Sequence, residues 1–286
     1  MMHYDFCIVG SGSIAFEFIE KIHSRSLSVL LVTERTEILN SNISNSGLIA
    51  VVNRSEFLNL PCISIGHLIL ATRDDLHKKD ISLGDLLNQI GNVSVHQITL
   101  LSSAAVYGEC SGPVNENSIL SPKNAYGLER VKVEEMVKSL FAATKNLNIL
   151  RLGNVYGPKF QSGFIYEALN YAKTGGSVPI FSAGSQIRNF LHVADLVGVV
   201  LYIPTSNKMK SSQIINIGES RHYSILEVIS IIENVLDVRC STLDLPPPIE
   251  AIHSSMIDTK LLGRLYSKKT SSLNQGIREL VRKKAK

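Results

Sequence analysis

Residues 4–22 read YDFCIVGSGSIAFEFIEKI, and this stretch decides the fold. The apolar run that opens it is typical of a buried strand, and a glycine turn follows the run directly. After the turn, Ile14, Phe18 and Ile22 recur at the spacing of one helix face. The stretch therefore predicts a strand, a tight turn and a helix in immediate succession.

Further short apolar runs follow, and their near-continuous apolarity is typical of strands buried on both faces of a parallel sheet. They are SVLLVT (28–33), HLILAT (67–72), HQITLLS (96–102) and NILRLG (148–153). Helical patterns lie between several of them, at 83–90 and 125–143. This alternation predicts the α/β class, with a Rossmann-type doubly wound parallel sheet.

Beyond residue 158 the pattern changes and no longer extends the sheet. It continues with a helical segment, a short strand and a strongly amphipathic helix, namely FIYEALNYAKTG (164–175), VPIF (178–181) and SILEVISIIENVL (224–236). We therefore expect a Rossmann domain formed by residues 1–157 and 188–218. A smaller C-terminal α/β lobe is expected from residues 158–187 and 219–286.

The composition excludes several classes of protein. With 286 residues, 44% of them hydrophobic, the chain can bury a large core, and its formal charge of +4 offers no basic stripe for nucleic acid. Its four cysteines and eight histidines are scattered, without the spacing of a metal site. No leader or membrane-spanning run is evident, so we expect a cytoplasmic protein with no metal, nucleic-acid or membrane partner.

The turn at residues 10–15 reads GSGSIA and matches the pattern G-x-G-x-x-A. Glycines here let the backbone approach a pyrophosphate, whose charge the helix N-terminus stabilises, and the closing alanine lets helix and strand pack closely. The motif favours a dinucleotide, with Gly10, Gly12, Ser13, Ile14 and Ala15 as cofactor-binding residues. The alternative is a tight turn that binds nothing.

The second strand ends in VTER, where Thr33, Glu34 and Arg35 are candidate cofactor-binding residues. An acid at this place hydrogen-bonds the adenosine ribose of NAD, whereas an arginine accommodates the 2′-phosphate of NADP. We expect NADP or NAD and favour NADP, because Arg35 requires an anion. Two exposed charges in a loop are the alternative. Ala71 and Thr72, at the end of the next strand, complete the candidate cofactor residues.

A serine and a tyrosine are candidates for the chemistry. Ser103 ends a strand, on the side where open α/β sheets bind ligands, and Tyr126 begins a helix 23 residues later. An unperturbed tyrosine has a pKa of about 10, and a nearby cation favours its phenolate. Arg130 stands four residues on, one helical turn away, and would make Tyr126 a better acid or base. A structural tyrosine beside a surface arginine is the alternative.

At these residues the chain resembles the extended short-chain dehydrogenase/reductases, in particular the NAD-dependent epimerase/dehydratase family that acts on nucleotide sugars. The motifs that carry the resemblance are the glycine turn, SSAAVYG, SPKNAYGLER, LRLGNVYGP, QIRNFLHVADL, INIGES and DTKLLG. The resemblance implies a Rossmann domain with a substrate lobe, Ser103 and Tyr126 as catalytic residues, and a homodimer. It also implies that Asn154 and Arg188 contact the diphosphate of the sugar nucleotide.

Two departures from the family pattern bear on the chemistry. Arg130 stands where the family has the lysine of Tyr-x-x-x-Lys; arginine keeps the charge but effectively never gives up its proton. Ala104 and Ala105 stand where 4,6-dehydratases carry an acidic pair. The second departure disfavours elimination of water.

Three functions fit the sequence. The first is NADPH-dependent reduction of a 4-keto nucleotide sugar in polysaccharide or deoxysugar biosynthesis. We favour it because the chain is abbreviated between Thr72 and Gln97 relative to the family, and because Glu34 with Arg35 permits an NADPH that exchanges. The second is C4 epimerisation with retained NAD. The third is a non-catalytic nucleotide-binding or scaffold protein, in which Arg130 marks lost chemistry.

Overall fold

The structure is a computed structural model, and it describes residues 2–10, 12–34, 47–60, 62–71, 83–90, 93–142, 146–209 and 212–283. The chain forms two compact units. The first consists of Met1–Ser102, Lys132–Leu150 and Val197–Ile214, and the second of Ser103–Val131, Arg151–Leu196 and Ile215–Lys286. The predicted boundaries of a cofactor domain and a substrate lobe concern function, and they stay a prediction.

The described residues contain strands and helices in the alternation expected of an α/β protein. The strands are β1 (Met2–Val9), β2 (Val29–Val32), β3 (Ile49–Val52), β4 (Ile63–Leu70), β5 (Ser94–Ser103), β6 (Leu147–Leu152), β7 (Asn154–Tyr156), β8 (Ser177–Phe181), β9 (Ile187–His192), β10 (Gln213–Ile217), β11 (His222–Ser224) and β12 (Ser241–Leu245). The helices are α1 (Ser13–His23), α2 (Arg54–Leu58), α3 (Leu83–Ile90), α4 (Ala125–Leu140), α5 (Phe164–Thr174), α6 (Val193–Tyr202), α7 (Ile225–Leu236), α8 (Lys260–Leu265) and α9 (Leu273–Lys283).

The main sheet has seven strands in the order β10-β6-β5-β4-β1-β2-β3. Strand β1 pairs in parallel with both β2 and β4. Strands β2 and β3 therefore lie on one side of β1, and the chain then crosses to the other side to form β4 and β5. Ligands of doubly wound sheets bind at this reversal, beyond the carboxyl ends of the strands. The order confirms the predicted Rossmann-type doubly wound sheet.

Burial on both faces explains the apolar strand sequences of this sheet. All four residues of β2 and the last four of β1 are buried. One polar pair lies within the sheet, where an imidazole nitrogen of His67 is 2.8 Å from the Thr99 hydroxyl. Burial lowers the pKa of His67 to about 3, because the charged imidazolium would lose its hydration.

The second unit contains a three-stranded sheet, β11-β9-β7, and a parallel pair of β12 with β8. Helices α5, α7 and α9 supply apolar side chains to its core, among them Leu169, Ile229 and Ile277. Helix α7 begins with a capping box, in which the Ser224 side chain and the N3 residue Glu227 each bond the other's backbone amide. None of the helices in the described part of the chain has the length and apolar character that crossing a membrane requires.

Candidate active site

The glycine turn of the first unit has the geometry expected of a pyrophosphate site. Gly10 has a φ of 132°, which a side chain would strain, and its amide donates to the carbonyl of Val32 at 3.0 Å. Gly12 precedes α1 with a φ of −79°, and a Cβ added there would meet no described atom within 4 Å. Since packing does not require glycine at Gly12, the open space fits a ligand that approaches the backbone.

The start of α1 completes this arrangement. Gly12 is the N-cap and has no side chain to bond the first N–H groups, and no acidic residue lies in the first turn. Ser13 and Ile14 open the helix, while Ala15 is 1% exposed, as expected of the alanine that lets helix and strand pack closely. These features suit an anion at the helix N-terminus.

The ends of the neighbouring strands carry the other candidate cofactor residues of the first unit. Thr33 is buried, and the amide of Ala71 donates to the carbonyl of Val9 at 2.9 Å. The Glu34 carboxylate accepts the amide of Arg54 at 3.3 Å and lies 3.8 Å from its Nε. Arg54 is therefore a cation beside Glu34 that the sequence did not suggest. Arg35 and Thr72 lie outside the described residues.

In the second unit, Ser103 is held by the short 310 helix Ala104–Tyr107 that follows it. Its hydroxyl oxygen accepts the amide of Ala105 at 3.1 Å, so Ser103 caps this helix. With one lone pair engaged in this way, the hydroxyl proton is free to point to a ligand oxygen.

Tyr126 lies at the start of α4 and is 37% exposed. The guanidinium carbon of Arg130 lies 5.8 Å from the centre of the Tyr126 ring, and Arg130 itself is buried. The structure thus brings the cation and the tyrosine together, as the spacing predicted. Glu129, which the sequence interpretation passed over, forms an ion pair with Arg130.

Ser103 and the first turn of the Tyr126 helix both contact Ala105. A Cβ added at Gly127, next to Tyr126, would lie 2.6 Å from the carbonyl oxygen of Ala105. Ala105 therefore contacts the Ser103 hydroxyl through its N–H and the first turn of α4 through its carbonyl. Only glycine at position 127 permits this approach, and nothing in the spacing of the sequence indicated it.

The two residues expected at a diphosphate lie on neighbouring strands, β7 and β9. Asn154 is exposed, and its amide donates to the carbonyl of Asn189 at 3.2 Å. The Arg188 guanidinium donates to the carbonyls of Ile187, Ile252 and His253 at 2.6 to 2.9 Å. Burial lowers the pKa of Arg188 from its ordinary value. These bonds use three of the five N–H groups of the guanidinium.

Glu109 holds the same backbone segment from its other side. Its carboxylate accepts the amides of His253 and Ser254 at 2.8 and 2.6 Å. Arg188 thus binds the carbonyls of this segment, and Glu109 its amides. Across the described residues, no group of three or more His, Cys, Asp or Glu side chains could hold a metal ion.

Comparisons with known proteins identify relatives along the whole chain. A Methanocaldococcus jannaschii protein named "Putative UDP-glucose 4-epimerase" is 26% identical, covering 95% of each chain. The UDP-glucuronic acid 4-epimerase of Bacillus cereus, solved with UDP-glucuronic acid and NAD, superposes with a TM-score of 0.82 at 18% identity over 99% of each chain. The dTDP-glucose 4,6-dehydratase of Bacillus anthracis, solved with NAD, has a TM-score of 0.81 at 15% identity over 99% of this chain and 96% of that one.

The two solved structures share the fold of this protein. The model of the NAD dependent epimerase/dehydratase family matches residues 74–218, which is more than half of the chain. This chain is therefore an enzyme that belongs to the NAD dependent epimerase/dehydratase family.

Proposed function

We propose that the protein is an NAD-dependent 4-epimerase of a nucleotide-activated sugar. The observation that supports this chemistry is that Ser103 and the first turn of the Tyr126 helix both contact Ala105. The choice of epimerisation is supported by a relative that is similar over 95% of its length and is named "Putative UDP-glucose 4-epimerase". The ketoreductase that the sequence favoured becomes the second candidate.

The first unit provides fitting groups for NAD. Gly12 leaves room for the pyrophosphate, and the N-terminus of α1 would direct its N–H groups to it. Glu34, at the end of β2, suits the hydroxyls of the adenosine ribose and would repel a 2′-phosphate, which favours NAD over NADP. When bound, NAD supplies a reversible hydride acceptor for C4 of the sugar.

Tyr126 then moves the proton of the C4 hydroxyl. Its phenolate takes the proton when C4 is oxidised, and its phenol returns the proton when the opposite face of the ketone is reduced. Ser103 donates a hydrogen bond to the same oxygen, since its own oxygen already accepts from Ala105. Arg130, whose guanidinium carbon lies 5.8 Å from the centre of the Tyr126 ring, would supply the positive charge beside the reacting tyrosine.

Asn154 and Arg188 supply the groups for the diphosphate of the substrate. The Asn154 side chain is exposed, and a guanidinium suits phosphate oxygens. We propose a UDP-sugar, with polysaccharide or deoxysugar biosynthesis as the destination of the product. The proposed assembly is a homodimer in the cytoplasm, formed through α4, where Leu128 is 51% exposed.

The test is turnover of UDP-glucose and UDP-glucuronic acid without added cofactor. We expect the 4-epimers to form, as resolved by anion-exchange chromatography, and NAD to be released when the protein is denatured, as identified by mass spectrometry. Tyr126→Phe should retain NAD but form no epimer. Purified protein that neither holds nor needs NAD, yet oxidises NADPH with a 4-keto sugar nucleotide, would contradict the epimerase.

That last result would support the second candidate, reduction of a 4-keto nucleotide sugar. The observation in its favour is Arg54, whose Nε lies 3.8 Å from Glu34 and which could accommodate a 2′-phosphate. Arg54→Met should then raise the KM for NADPH and leave the KM for NADH unchanged.

A further inference from the structure

We propose that Tyr107, together with Arg151 and Asn216, is a positioning residue. It holds the 310 helix Ala104–Tyr107, which contacts the Ser103 hydroxyl and the first turn of the Tyr126 helix. The inference rests on the proposed function, because it gives these three residues a part in the proton transfer at C4. None of them is expected to touch the substrate.

The Tyr107 side chain is held at both its ring and its hydroxyl. It is buried, its hydroxyl donates to Oδ1 of Asn216 at 2.8 Å, and it accepts from Nη1 of Arg151 at 3.0 Å. The guanidinium carbon of Arg151 also lies 5.0 Å from the centre of the ring. Burial raises the pKa of Tyr107, so the hydroxyl stays protonated and keeps donating.

The two partners of Tyr107 are fixed in turn. The backbone amide of Asn216 donates to the Glu116 carboxylate at 2.9 Å, and its side-chain amide donates to the carbonyls of Val114 and Asp258. Arg151 donates to the Glu116 carbonyl at 3.2 Å. Asn216 and Arg151 are both buried. A buried network of this kind is rigid when its groups are satisfied, and removing one member leaves the others unpaired.

The four residues of the 310 helix, Ala104–Tyr107, connect this network to Ser103 and to the first turn of the Tyr126 helix. Tyr107 ends the 310 helix that Ser103 caps, and the amide of Gly108 donates to the carbonyl of Ala105 at 3.2 Å. That same carbonyl is the one that Gly127 approaches. A shift of this helix would therefore move the Ser103 hydroxyl relative to Tyr126.

Tyr223 offers a matched control within the same unit. It is also buried, its hydroxyl donates to Glu219 at 2.7 Å, and the Arg221 guanidinium carbon lies 4.8 Å from its ring centre. Tyr223 contacts neither Ser103 nor the 310 helix in any bond described above. Tyr107→Phe and Tyr223→Phe thus each remove the hydrogen-bonded hydroxyl of a buried tyrosine whose ring lies beside an arginine.

The experiment compares steady-state kinetics and hydrogen exchange in the two variants. Tyr107→Phe should lower kcat by about 10²-fold, the scale of a misplaced catalytic group, with KM changed less than about threefold. Amide exchange in the peptide that contains residues 103–108 should rise about tenfold in Tyr107→Phe alone. Equal kcat losses in both variants, or an unchanged kcat in Tyr107→Phe, would overturn the inference.

Arg151 allows a second test by rescue. Arg151→Met keeps most of the apolar stem but removes the donor, whereas Arg151→Lys restores one. We expect kcat in the order wild type, lysine, methionine, with faster exchange at 103–108 in the methionine variant. If the wild type epimerises no nucleotide sugar, the proposed function fails, but the exchange comparison still decides the anchoring. Unchanged exchange at 103–108 in both Tyr107→Phe and Arg151→Met would refute it.

Discussion

The Arg130 guanidinium carbon lies 5.8 Å from the centre of the Tyr126 ring, within the range of a cation–π contact. The same guanidinium forms an ion pair with Glu129, so the positive charge beside the tyrosine has a neighbouring counter-charge. The position where the family has a lysine thus carries an arginine with a neighbouring acid. Whether Arg130 performs the electrostatic task of that lysine can be measured.

For Arg130, the charge should matter more than the shape of the side chain. Arg130→Lys should keep kcat within about threefold, whereas Arg130→Met should lower it about tenfold or more, the scale of a desolvated cation–π contact. Epimerisation rates with bound NAD quantified in each sample would decide this. Equal losses in both variants would show that the guanidinium geometry is needed instead.

Tyr126→Phe should abolish turnover while cofactor retention stays as in the wild type, because only the phenolic proton carrier is lost. Tyr171→Phe is the matched control, since Tyr171 is also 37% exposed but lies on α5. Chromatography of the product and mass spectrometry of the released nucleotide are the two measurements. A Tyr126→Phe variant with wild-type turnover would make this tyrosine structural.

Gly127→Ala should impair both activity and stability, because its Cβ would lie 2.6 Å from a backbone oxygen that cannot rotate away. We expect kcat to fall about 10²-fold as the start of α4 shifts. Gly263→Ala on α8 is the control: an added Cβ meets nothing within 4 Å, and the helix should gain up to about 1 kcal/mol. Thermal unfolding and kinetics of both variants test the prediction, which similar effects of the two changes would contradict.

His67 should make the fold less stable as the pH falls. Its pKa is about 3 in the folded protein against an ordinary 6.5, so the unfolded chain binds the extra proton between these values. The associated stability is complete above about pH 6.5 and is lost progressively toward pH 3. In urea unfolding, His67→Gln should reduce the difference in unfolding free energy between pH 7 and pH 5 by about 2 kcal/mol. An unchanged pH dependence would mean that His67 does not titrate in this way.

Arg188→Ala should weaken nucleotide-sugar binding, with the KM raised about tenfold or more by the loss of a charged hydrogen-bond donor. It should also speed amide exchange around residues 252–254, because Arg188 binds the carbonyls of Ile252 and His253. Arg221→Ala, a loss of an exposed arginine paired with Glu227, should change neither. An effect confined to kcat would contradict the substrate role of Arg188.

The sequence predicted the main sheet well because its strands are apolar runs punctuated by helical patterns. The strand-turn-helix at residues 4–22 lies in the structure as β1, the turn and α1. Strands β10 and β3 of this sheet were not predicted from the sequence. Strand β3, Ile49–Val52, is short and each of its residues is only partly buried. A four-residue run of this kind is not distinguished from a loop by periodicity.

Residues of the candidate site could be proposed from the sequence where their position in a strand or helix is informative. Contacts between residues distant in the sequence could not. Ser103 and Tyr126 were proposed from their places at a strand end and a helix start, which the structure has at β5 and α4; their catalytic roles stay a prediction. The bond between Tyr107 and Asn216 joins residues 109 positions apart, and no local pattern encodes it. Likewise, the sequence shows that Arg188 is a cation but not that three carbonyls already hold it.

The 310 helix has a consequence for engineering the enzyme. Ser103 and Tyr126 are joined by a loop in which Ile119 is 88% exposed, so length changes beside Ile119 should be tolerated. The residues from Ala105 to Gly108, and Gly127, have less freedom, because the amides of Ala105, Gly108 and Gly127 and the carbonyls of Ala105 and Val106 are already hydrogen-bonded. Libraries that aim to broaden the substrate range should therefore vary the exposed positions beside Ile119 and spare both Glu116 and this short helix, where we expect changes to act on the chemistry.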